Sequence, residues 1–483
     1  MKKSIIYLLI PVLIIGNGCS EERLDLYPIT SISEGTFYKD ASQIQSAADD
    51  VYRQIGRLYN PYGIPSLYGT LFSDNGAVVA QLAGTPIDQP IDRHRLTADN
   101  PRIESAWDDA YNAIFICNNI IAQIEITEVE MEESLKTRMI AEATLVRALA
   151  YFNLVRAFGA VPLVTEVITP DQALDHLRES PDIVYQQIIE DLKLAKNDLP
   201  TSYTGGDVGR VTKYSAAAVL AKVYLTMEDM PAAQTELEFI INSGEYSLDA
   251  NSDGTVNTED YLHIFLPDTK NSEASILEAQ YMSGPNNANS QHQIAFAPYL
   301  DSFHHPLIDG NISRGEGINT PTDDLAAEFE EGDPREDTTA YPGFINPSTG
   351  DFVQYRFTLK YFDPDWFNPG QNVEIIRYAD ILLMYTEVTE NPDYLNMVRE
   401  RVGMPLYGSP GYPSDLYPTL ELAIEHERRM ELAMEFKRYF DLVRTGRAVE
   451  VMQPKVPGDM KLLFPIPLYA IDVNPGLTQN PGY

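Results

Sequence analysis

A twelve-residue run near the middle of the chain has the residue types and the spacing of a calcium-binding loop. Oxygen-bearing side chains stand at its first, third and fifth positions, Gly254 stands at the sixth, and a carboxylate stands at the twelfth. Calcium prefers such dense hard oxygen ligands, and the glycine permits the sharp turn that lets one short loop surround an ion. The predicted ligand residues are Asp249, Asn251, Asp253, Thr255, Asn257 and Asp260.

The same loop is open to a plainer interpretation. Asn, Asp and Gly are the common residues of turns, so this composition also suits a turn without an ion. The register of the ligands favours calcium, and because the sequence shows no second loop of this type, a structural role is favoured over signalling. We therefore predict a structural calcium ion and no organic cofactor.

Residue patterns of common enzyme sites are missing from the sequence. There is no G-x-S-x-G, no H-E-x-x-H, no glycine loop for phosphate and no Cys/His arrangement for nucleophilic catalysis. Cys117 lies in an apolar run, which predicts a buried thiol instead of a nucleophile. With 71 acidic residues in the chain, some pair of carboxylates will always look like a glycosidase site, so such a pair is no evidence for an enzyme. We predict no catalytic residue and no enzymatic activity.

The first 18 residues have the features of a targeting signal. Lys2 and Lys3 precede an apolar run over residues 5–15, which is too short to span a bilayer because spanning takes about 20 apolar residues. Gly16, Asn17, Gly18 and Cys19 follow directly, as at a bacterial lipoprotein cleavage site, although Gly16 stands where an aliphatic residue is usual. We predict a signal peptide over residues 1–18 and a lipid on Cys19, with an ordinary secretory signal as the alternative.

Composition and charge exclude one class of partner. A hydrophobic content of 44% with 22% charged residues is normal for a folded protein. Acidic side chains outnumber basic ones by 71 to 35, which gives a formal net charge of −36. A surface this acidic repels phosphate backbones, so we predict no nucleic-acid partner.

Most of the chain has the apolar periodicity of helices. Two regions, residues 60–97 and about 249–372, break that pattern with many Gly, Pro, Asn and Asp residues, and loops on a rigid scaffold are where binding residues tend to sit. Alanine and tyrosine at the packing positions suggest antiparallel helix pairs stacked like tetratricopeptide repeats, although no clean repeat is visible. The predicted helices cover residues 137–158, 181–199, 212–226, 231–241, 375–389, 392–402 and 420–445.

Several side chains within these helices are predicted to serve the scaffold. Trp107 stands at helical spacing with Tyr111 and Ile114, which predicts a core residue. Charged residues in well-packed helices are usually paired with each other. Internal ion pairs are therefore predicted for Arg147, Asp380, Glu427, Arg428, Arg429 and Asp441.

The stretch AEATLVRALAYFNLVRAFGAVPLV, residues 141–164, resembles the signature helix of the SusD/RagB family. The likeness extends over nearly the whole chain after Cys19, including LDLYP at residues 24–28. Further segments resemble the family in the same order, namely residues 182–200, 209–225, 374–387, 395–405, 427–447 and 464–483.

The resemblance implies a mainly α fold and a role at the cell surface. We expect one SusD-like domain over residues 19–483, with tetratricopeptide-like helix pairs at about 40–248 and 373–450 and an irregular, loop-rich ligand-binding face at about 249–372. The family implies a lipoprotein of the outer membrane that captures a polysaccharide or oligosaccharide for a TonB-dependent transporter of the SusC type. Two alternatives stay open, a peptide-binding member and a structural partner of the transporter without a ligand.

A sugar ring has an apolar face and a rim of hydroxyls, so a site for it needs flat aromatic residues beside short polar groups. Residues 59–75, 281–314 and 361–367 provide both, and the second stretch is rich in amides. Trp366 is the first choice because it lies in a Pro- and Asp-rich loop, and its alternative role is to pin that loop onto the core. The predicted ligand-contacting residues are Trp366, Tyr62, Tyr68, Asp74, Asn75, Tyr299, His304 and Tyr361.

Overall fold

The computed structural model describes residues 40–79, 86–298, 303–304, 311–312 and 315–483, and helices dominate this part of the chain. The signal segment and Cys19 lie outside the described residues. The helices are α1 (Ala41–Leu58), α2 (Ile64–Ser66), α3 (Gln89–Asp92), α4 (Pro101–Ile126), α5 (Glu133–Phe158), α6 (Pro170–Ala173), α7 (Pro181–Asp198), α8 (Lys213–Thr226), α9 (Met230–Ile241), α10 (Thr258–His263), α11 (His292–Phe296), α12 (Asp323–Glu328), α13 (Arg335–Thr339), α14 (Tyr378–Thr389), α15 (Asp393–Arg401), α16 (Leu420–Leu432), α17 (Arg438–Arg444), α18 (Ala448–Met452) and α19 (Leu468–Val473).

Short strands connect these helices. The described strands pair antiparallel as β1 with β7, β2 with β3 and β4 with β10, and a four-stranded sheet has the order β6–β5–β8–β9. The strands are β1 (Gly76–Ala77), β2 (Val161–Pro162), β3 (Arg178–Glu179), β4 (Ser275–Ala279), β5 (Phe303–His304), β6 (Asn311–Ile312), β7 (Thr320–Pro321), β8 (Tyr341–Ile345), β9 (Phe352–Phe357) and β10 (Val373–Arg377).

The long helices form one continuous stack. Helix α1 packs on α4, α4 on α5, α5 on α7, α7 on α8 and α8 on α9, and α14 then joins α9 to α15 and α16. One large hydrophobic cluster runs through the stack, and Trp107 belongs to it as predicted. Among the described residues, no helix is long and apolar enough to cross a membrane. The predicted mainly α fold of packed helix pairs is confirmed.

Local sequence signals account for the helix ends. The Thr212 hydroxyl accepts the N–H of Ser215 while the Ser215 side chain accepts the N–H of Thr212, so a capping box starts α8 one residue later than predicted. Pro181 is the first residue of α7, where the missing N–H costs nothing. Helix α5 is buried on nearly all sides after Met139, because its small residues let neighbouring helices approach.

Two predicted helices differ from the structure. The segment predicted as one helix over residues 420–445 is broken between α16 and α17, where Met434 and Phe436 have φ values of 65° and 63°. The break turns Glu435 inward, where Lys360 contacts its carboxylate at 2.6 Å. Residues 375–377, predicted as helical, belong to β10, because the β-branched residues there pair with β4.

A buried cluster of charges joins the loop-rich insert to α16. Arg335, after the insert's long loops, contacts Glu427 at 2.5 Å and Glu431 at 3.0 Å. Arg377 and Arg401 also bind the Glu431 carboxylate, and all five side chains are fully buried. Buried carboxylates and guanidinium groups of this kind are stable only as a paired set. The cluster therefore fixes how the insert sits on the helical stack.

The internal ion pairs predicted from the helices are present. Arg147 binds Asp191 through two hydrogen bonds of 2.7 and 2.8 Å. Arg428 bridges Asp380 and Asp441 at 2.8 and 2.9 Å. Glu427 and Arg429 are paired as well, with Arg335 and Asp74 respectively. Cys117 is buried, and burial raises the pKa of its thiol to about 12, so it is an inert core residue.

Candidate functional site

Tyr68, predicted to contact a ligand, lies instead in the main hydrophobic core. It belongs to a π-helical turn, Leu67–Leu71, and is fully buried. Its ring packs edge-on against Tyr439 and Phe464 with centroid distances of 4.8 and 5.0 Å. The hydroxyl donates a 2.6 Å hydrogen bond to the carbonyl of Leu462. Neighbouring apolar side chains cover the whole ring, so no face of it is open to a ligand.

Asp74 and Asn75 hold the loop before β1 onto the C-terminal helices. Arg438 donates two hydrogen bonds of 2.9 Å to the Asp74 carboxylate, and Arg429 donates one of 2.9 Å to the side-chain amide oxygen of Asn75. Burial alone would raise the pKa of Asp74, but Arg438 and Arg429 outweigh it and lower that pKa to about 2. Both residues are buried and serve the scaffold.

Tyr361 and Trp366 are also interior residues. The Tyr361 hydroxyl donates a 2.6 Å hydrogen bond to the carbonyl of Met434, and its ring stacks on Phe436 at an interplanar angle of 8°. Trp366 is only 4% exposed. It occupies the alternative role considered for it, as the centre of a small cluster with Ile294, Ala297, Phe344 and Tyr355.

Tyr62 is half-buried at the surface and belongs to a polar network. Its hydroxyl donates a hydrogen bond to the Glu316 carboxylate, while the Arg102 guanidinium lies 3.7 Å from the ring centroid. Arg102 is held in turn by Asp88 at 2.7 Å. Burial and the bond to Glu316 raise the pKa of Tyr62, so the phenol stays protonated. Arg102 covers one face of the Tyr62 ring, and the Tyr62 side chain is half-buried.

Two predicted contact residues have no described side chain. Tyr299 lies outside the described residues. The structure gives only the backbone of His304, which lies in β5 opposite Ile345 of β8. Their roles stay predictions.

The second predicted stretch, 281–314, pairs with the residues that directly follow the third, 361–367. The N–H of Gly284 donates to the carbonyl of Asn368 at 3.1 Å, and the N–H of Ser290 donates to that of Pro369 at 2.7 Å. At this junction Phe367 is 61% exposed. The exposed amides Asn286 and Asn287 and the exposed thioether Met282 belong to the same pair of loops.

Phe367 was not predicted as a contact residue, because its larger neighbour Trp366 was preferred. Both residues lie in a turn, in which the N–H of Asn368 donates to the carbonyl of Asp365 at 3.2 Å. The larger ring is buried in the core and the smaller one is exposed. No local pattern in the sequence distinguishes the two rings.

Helix α11 connects the surface patches. The Gln293 side chain accepts the N–H of Asp363 at 2.8 Å and donates to the Trp366 carbonyl at 3.2 Å. The next residue, Ile294, accepts the N–H of Glu316 at 2.9 Å. One short buried helix thus positions both the Phe367 loop and the Tyr62 network. We call the surface residues on these segments the loop face, and they are Tyr62, Asn286, Asn287, Glu316 and Phe367.

The first half of the predicted calcium loop is wrapped around its ligand side chains. The N–H groups of Asp253 and Gly254 donate to the Asp249 carboxylate at 3.1 and 2.8 Å. The N–H of Asp253 also donates to Asn251 at 3.0 Å, and that of Thr255 to Asp253 at 2.8 Å. Gly254 has a φ of 86°, a left-handed conformation that favours glycine. These hydrogen bonds are common to a calcium loop and to a turn without an ion.

The second half of the loop fits a calcium ion less well. The buried carboxylate of Asp260 accepts the N–H groups of Asn251 and Asn257 at 3.2 and 2.8 Å and caps α10. A calcium ion would require Asp260 to exchange these partners. Over the residues that the structure describes, no group of three or more His, Cys, Asp or Glu side chains is arranged to hold a metal. Calcium at this loop stays a prediction.

Comparisons with known proteins give one consistent answer. A family model described as "Starch-binding associating with outer membrane" matches residues 43–225, and one described as "SusD family" matches residues 330–483. The SusD-like protein P38 of Formosa agariphila is 29% identical over 99% of both chains. The SusD-like protein P25 of the same organism is 26% identical over 96% of both chains.

Solved structures agree in fold. A laminarin-binding SusD-like protein matches with a TM-score of 0.77 at 27% identity, over 92% of this chain and 100% of its own. Surface glycan-binding protein A of Bacteroides thetaiotaomicron, in complex with laminarihexaose, shares the fold with a TM-score of 0.74 at 21% identity, over 92% and 100%. With a helical stack, a loop face and both family models in agreement, the chain belongs to the SusD family of outer-membrane-associated carbohydrate-binding proteins, which are not enzymes.

Proposed function

We propose that the protein captures a neutral glycan at its loop face and delivers it to a TonB-dependent transporter of the SusC type. The observation that carries this proposal is that the loop of the exposed Phe367 ring is hydrogen-bonded to the loop of the exposed amides Asn286 and Asn287. A flat aromatic ring matches the apolar face of a sugar, and short amides match its hydroxyl rim.

The Tyr62 network adds directional groups to the same face. Glu316 accepts hydrogen bonds, and the Arg102 guanidinium offers donors in a fixed plane. Asp88 and the Tyr62 ring hold that guanidinium in place, so it loses little freedom when a ligand binds. The loop face therefore combines an apolar contact with preorganised polar groups.

A glucan of the laminarin type is the first ligand to test. A laminarin-binding relative shares 27% identity over the full length of its own chain. This supports a glucan as the ligand class. Other neutral polysaccharides, of plant, host and microbial origin, are to be tested beside it.

We also propose that a lipid on Cys19 holds the protein at the outer surface of the outer membrane. The apolar segment that ends before this cysteine supports the anchor, and the family description supports the membrane. Radioactive palmitate incorporated into the full-length chain, and lost in Cys19→Ala, is the expected result.

The test of glycan capture is affinity electrophoresis of the chain starting at Ser20, in native gels that each contain one polysaccharide. We expect at least one polymer to slow the wild-type protein. Phe367→Ala should weaken that retention, with a Kd increase of roughly tenfold if the ring contributes about 1.4 kcal/mol. Phe115→Ala is the matched control, because Phe115 is 56% exposed and follows Arg102 on the same helix α4 at a distance of about 20 Å along the axis.

Two results would contradict the proposal. If no polymer slowed the wild-type protein, the proposal of glycan capture would be wrong. Equal retention of the wild type and Phe367→Ala would move the binding site away from the loop face.

A further inference from the structure

The β8–β9 hairpin has two very different faces. Directly opposite residues of an antiparallel pair share a face, so Phe344 and Val353 lie on one side and Ile345 and Phe352 on the other. The first side is buried against Trp366. On the second side Ile345 is 40% and Phe352 57% exposed. An exposed antiparallel face usually carries polar residues, so two neighbouring apolar side chains there need a reason.

Gly343 shows how the Phe352 ring is positioned. It lies on β8, and its nearest neighbour across the hairpin is Gln354, on the same exposed face. A Cβ atom at this position would come within 2.1 Å of the Val353 carbonyl oxygen and 2.7 Å of the Phe352 Cζ atom. A glycine at residue 343 therefore leaves room for the neighbouring strand backbone and for the end of the Phe352 ring. The Phe352 side chain is close to Gly343 at its end and is 57% exposed.

Polar groups of the right kind border the ring. Gln354 is exposed on the same face, and Arg356 follows two residues later, within the register shift of the hairpin, half-buried and held by Asp323 at 3.0 Å. An amide and a fixed guanidinium both donate hydrogen bonds to hydroxyl oxygens. The face thus repeats the chemistry of the loop face with a different ring.

We infer that Phe352 is a second carbohydrate platform, on which one sugar unit of a bound polysaccharide stacks while Gln354 donates to its hydroxyls. The inference rests on the proposed glycan capture. The hairpin and the Phe367 loop are neighbours in the fold, because the buried side of the same hairpin packs on Trp366, the residue that directly precedes Phe367. Phe352 lies on the opposite side of the hairpin from Trp366, so a polymer that contacts both rings must be long enough to pass around the edge of the hairpin.

The experiment measures the affinity of the polysaccharide that slows the wild-type protein. Phe352→Leu keeps apolar bulk and removes the flat ring, and we expect a Kd three to ten times higher. Phe352→Tyr keeps the ring and should bind like the wild type. Phe115→Leu, at an equally exposed phenylalanine of α4, should change nothing. Combined with Phe367→Ala, the Phe352→Leu loss should multiply, since separate contacts add in free energy.

The outcomes separate this inference from the proposed function. If a polymer slowed the wild-type protein and Phe352→Leu bound it with unchanged affinity, the role of Phe352 would be contradicted and glycan capture would not. A change in self-association without a change in glycan affinity would also overturn it, because β9 lies at the end of the sheet, where another strand could add. A wild-type protein that binds no polymer would overturn both.

Discussion

Trp366 and Phe367 are neighbours in one loop, yet one is 4% and the other 61% exposed. Removing a large buried ring leaves a cavity, so Trp366→Ala should lower the free energy of unfolding by about 3–5 kcal/mol. Phe367→Ala removes exposed surface and should change it by less than about 0.5 kcal/mol. Urea unfolding of both variants measures the difference. Similar losses in the two variants would show that Phe367 also serves the fold.

Glu374 has an unfavourable neighbour. It lies on β10 opposite Glu278 of β4, and both side chains are buried. Burial raises the pKa of Glu374 well above its ordinary value, and the charge of Glu278 raises it further. The folded protein therefore keeps a proton that the unfolded chain releases near pH 4.3. The stability from this carboxyl group is complete below that pH and declines as pH rises towards the folded pKa.

Glu374→Gln removes this titration and keeps the shape of the side chain. At pH 8 the free energy of unfolding should be about 1–2 kcal/mol higher for the variant than for the wild type, because the wild type must take up a proton at Glu374 when it folds and the amide need not. Towards pH 4 the two proteins should converge. Urea unfolding at a series of pH values measures the gap, and Glu190→Gln on the exposed side of α7 is the control. A gap that is constant with pH would show that Glu374 does not titrate in this range.

At the scale of elements, α16 depends on the charge cluster around Glu431. This carboxylate contacts Arg335 at 3.0 Å and Arg401 at 2.5 Å, and it also binds Arg377. Glu431→Gln would leave three buried guanidinium groups short of a negative charge. We expect a loss of about 3–5 kcal/mol in the free energy of unfolding, measured by urea.

A surface ion pair is the matched control for that variant. Glu450 pairs with Arg447 while its side chain is 74% exposed. Solvent screens such a pair, so Glu450→Gln should cost less than about 1 kcal/mol. If Glu431→Gln cost no more than Glu450→Gln, the cluster would not be what fixes the insert on α16.

Thermal melting in calcium and in chelator can test whether calcium stabilises the loop before α10. A ligand that binds only the folded protein stabilises it by about 2.7 kcal/mol at 100 times its Kd. We expect a lower melting temperature in chelator than in calcium for the wild type, and no such difference for Asp253→Ala. Asp351→Ala, in an exposed turn elsewhere, should respond like the wild type. An unchanged wild-type melt in chelator would leave the loop as a turn without an ion.

The helical elements were the most predictable part of the molecule. Apolar periodicity and capping residues act within a few residues of each other, so the bounds of α7 and α8 could be placed within about one residue. The break after α16 could not, because it depends on the distant partners Tyr361 and Arg377. Contacts that join segments far apart leave no local signal.

The site residues were predictable as segments and less as individual side chains. Composition selected the stretches that contain Tyr62 and Phe367, but it could not tell a buried aromatic from an exposed one. Tyr68 and Trp366 have the same polar and glycine-rich neighbourhoods as exposed rings, and packing against distant segments decides their burial. Asp74 was selected for its hydrogen-bonding chemistry, which Arg438 uses inside the protein.

At the scale of the whole molecule, a rigid stack carries an irregular face. The charge cluster and helix α11 tie the loops to that stack at several points, so the loop face is largely formed before a ligand arrives. Preorganisation of this kind lowers the entropy cost of binding. It also explains how relatives of about 21–29% identity keep one fold, since the stack is independent of what the loops recognise.

The net charge of −36 bears on which polymers such a face can accept. A polyanion approaching the protein meets repulsion from the whole surface, whereas a neutral glucan does not. We therefore expect laminarin to bind more tightly than a carboxymethylated laminarin of equal length, by isothermal titration calorimetry at about 20 mM salt. At about 200 mM the gap should narrow, because the Debye length falls below about 10 Å and screens the distant charges. Tighter binding of the polyanion at low salt would instead locate a basic patch at the site, with Arg102 and Arg356 as the first residues to replace.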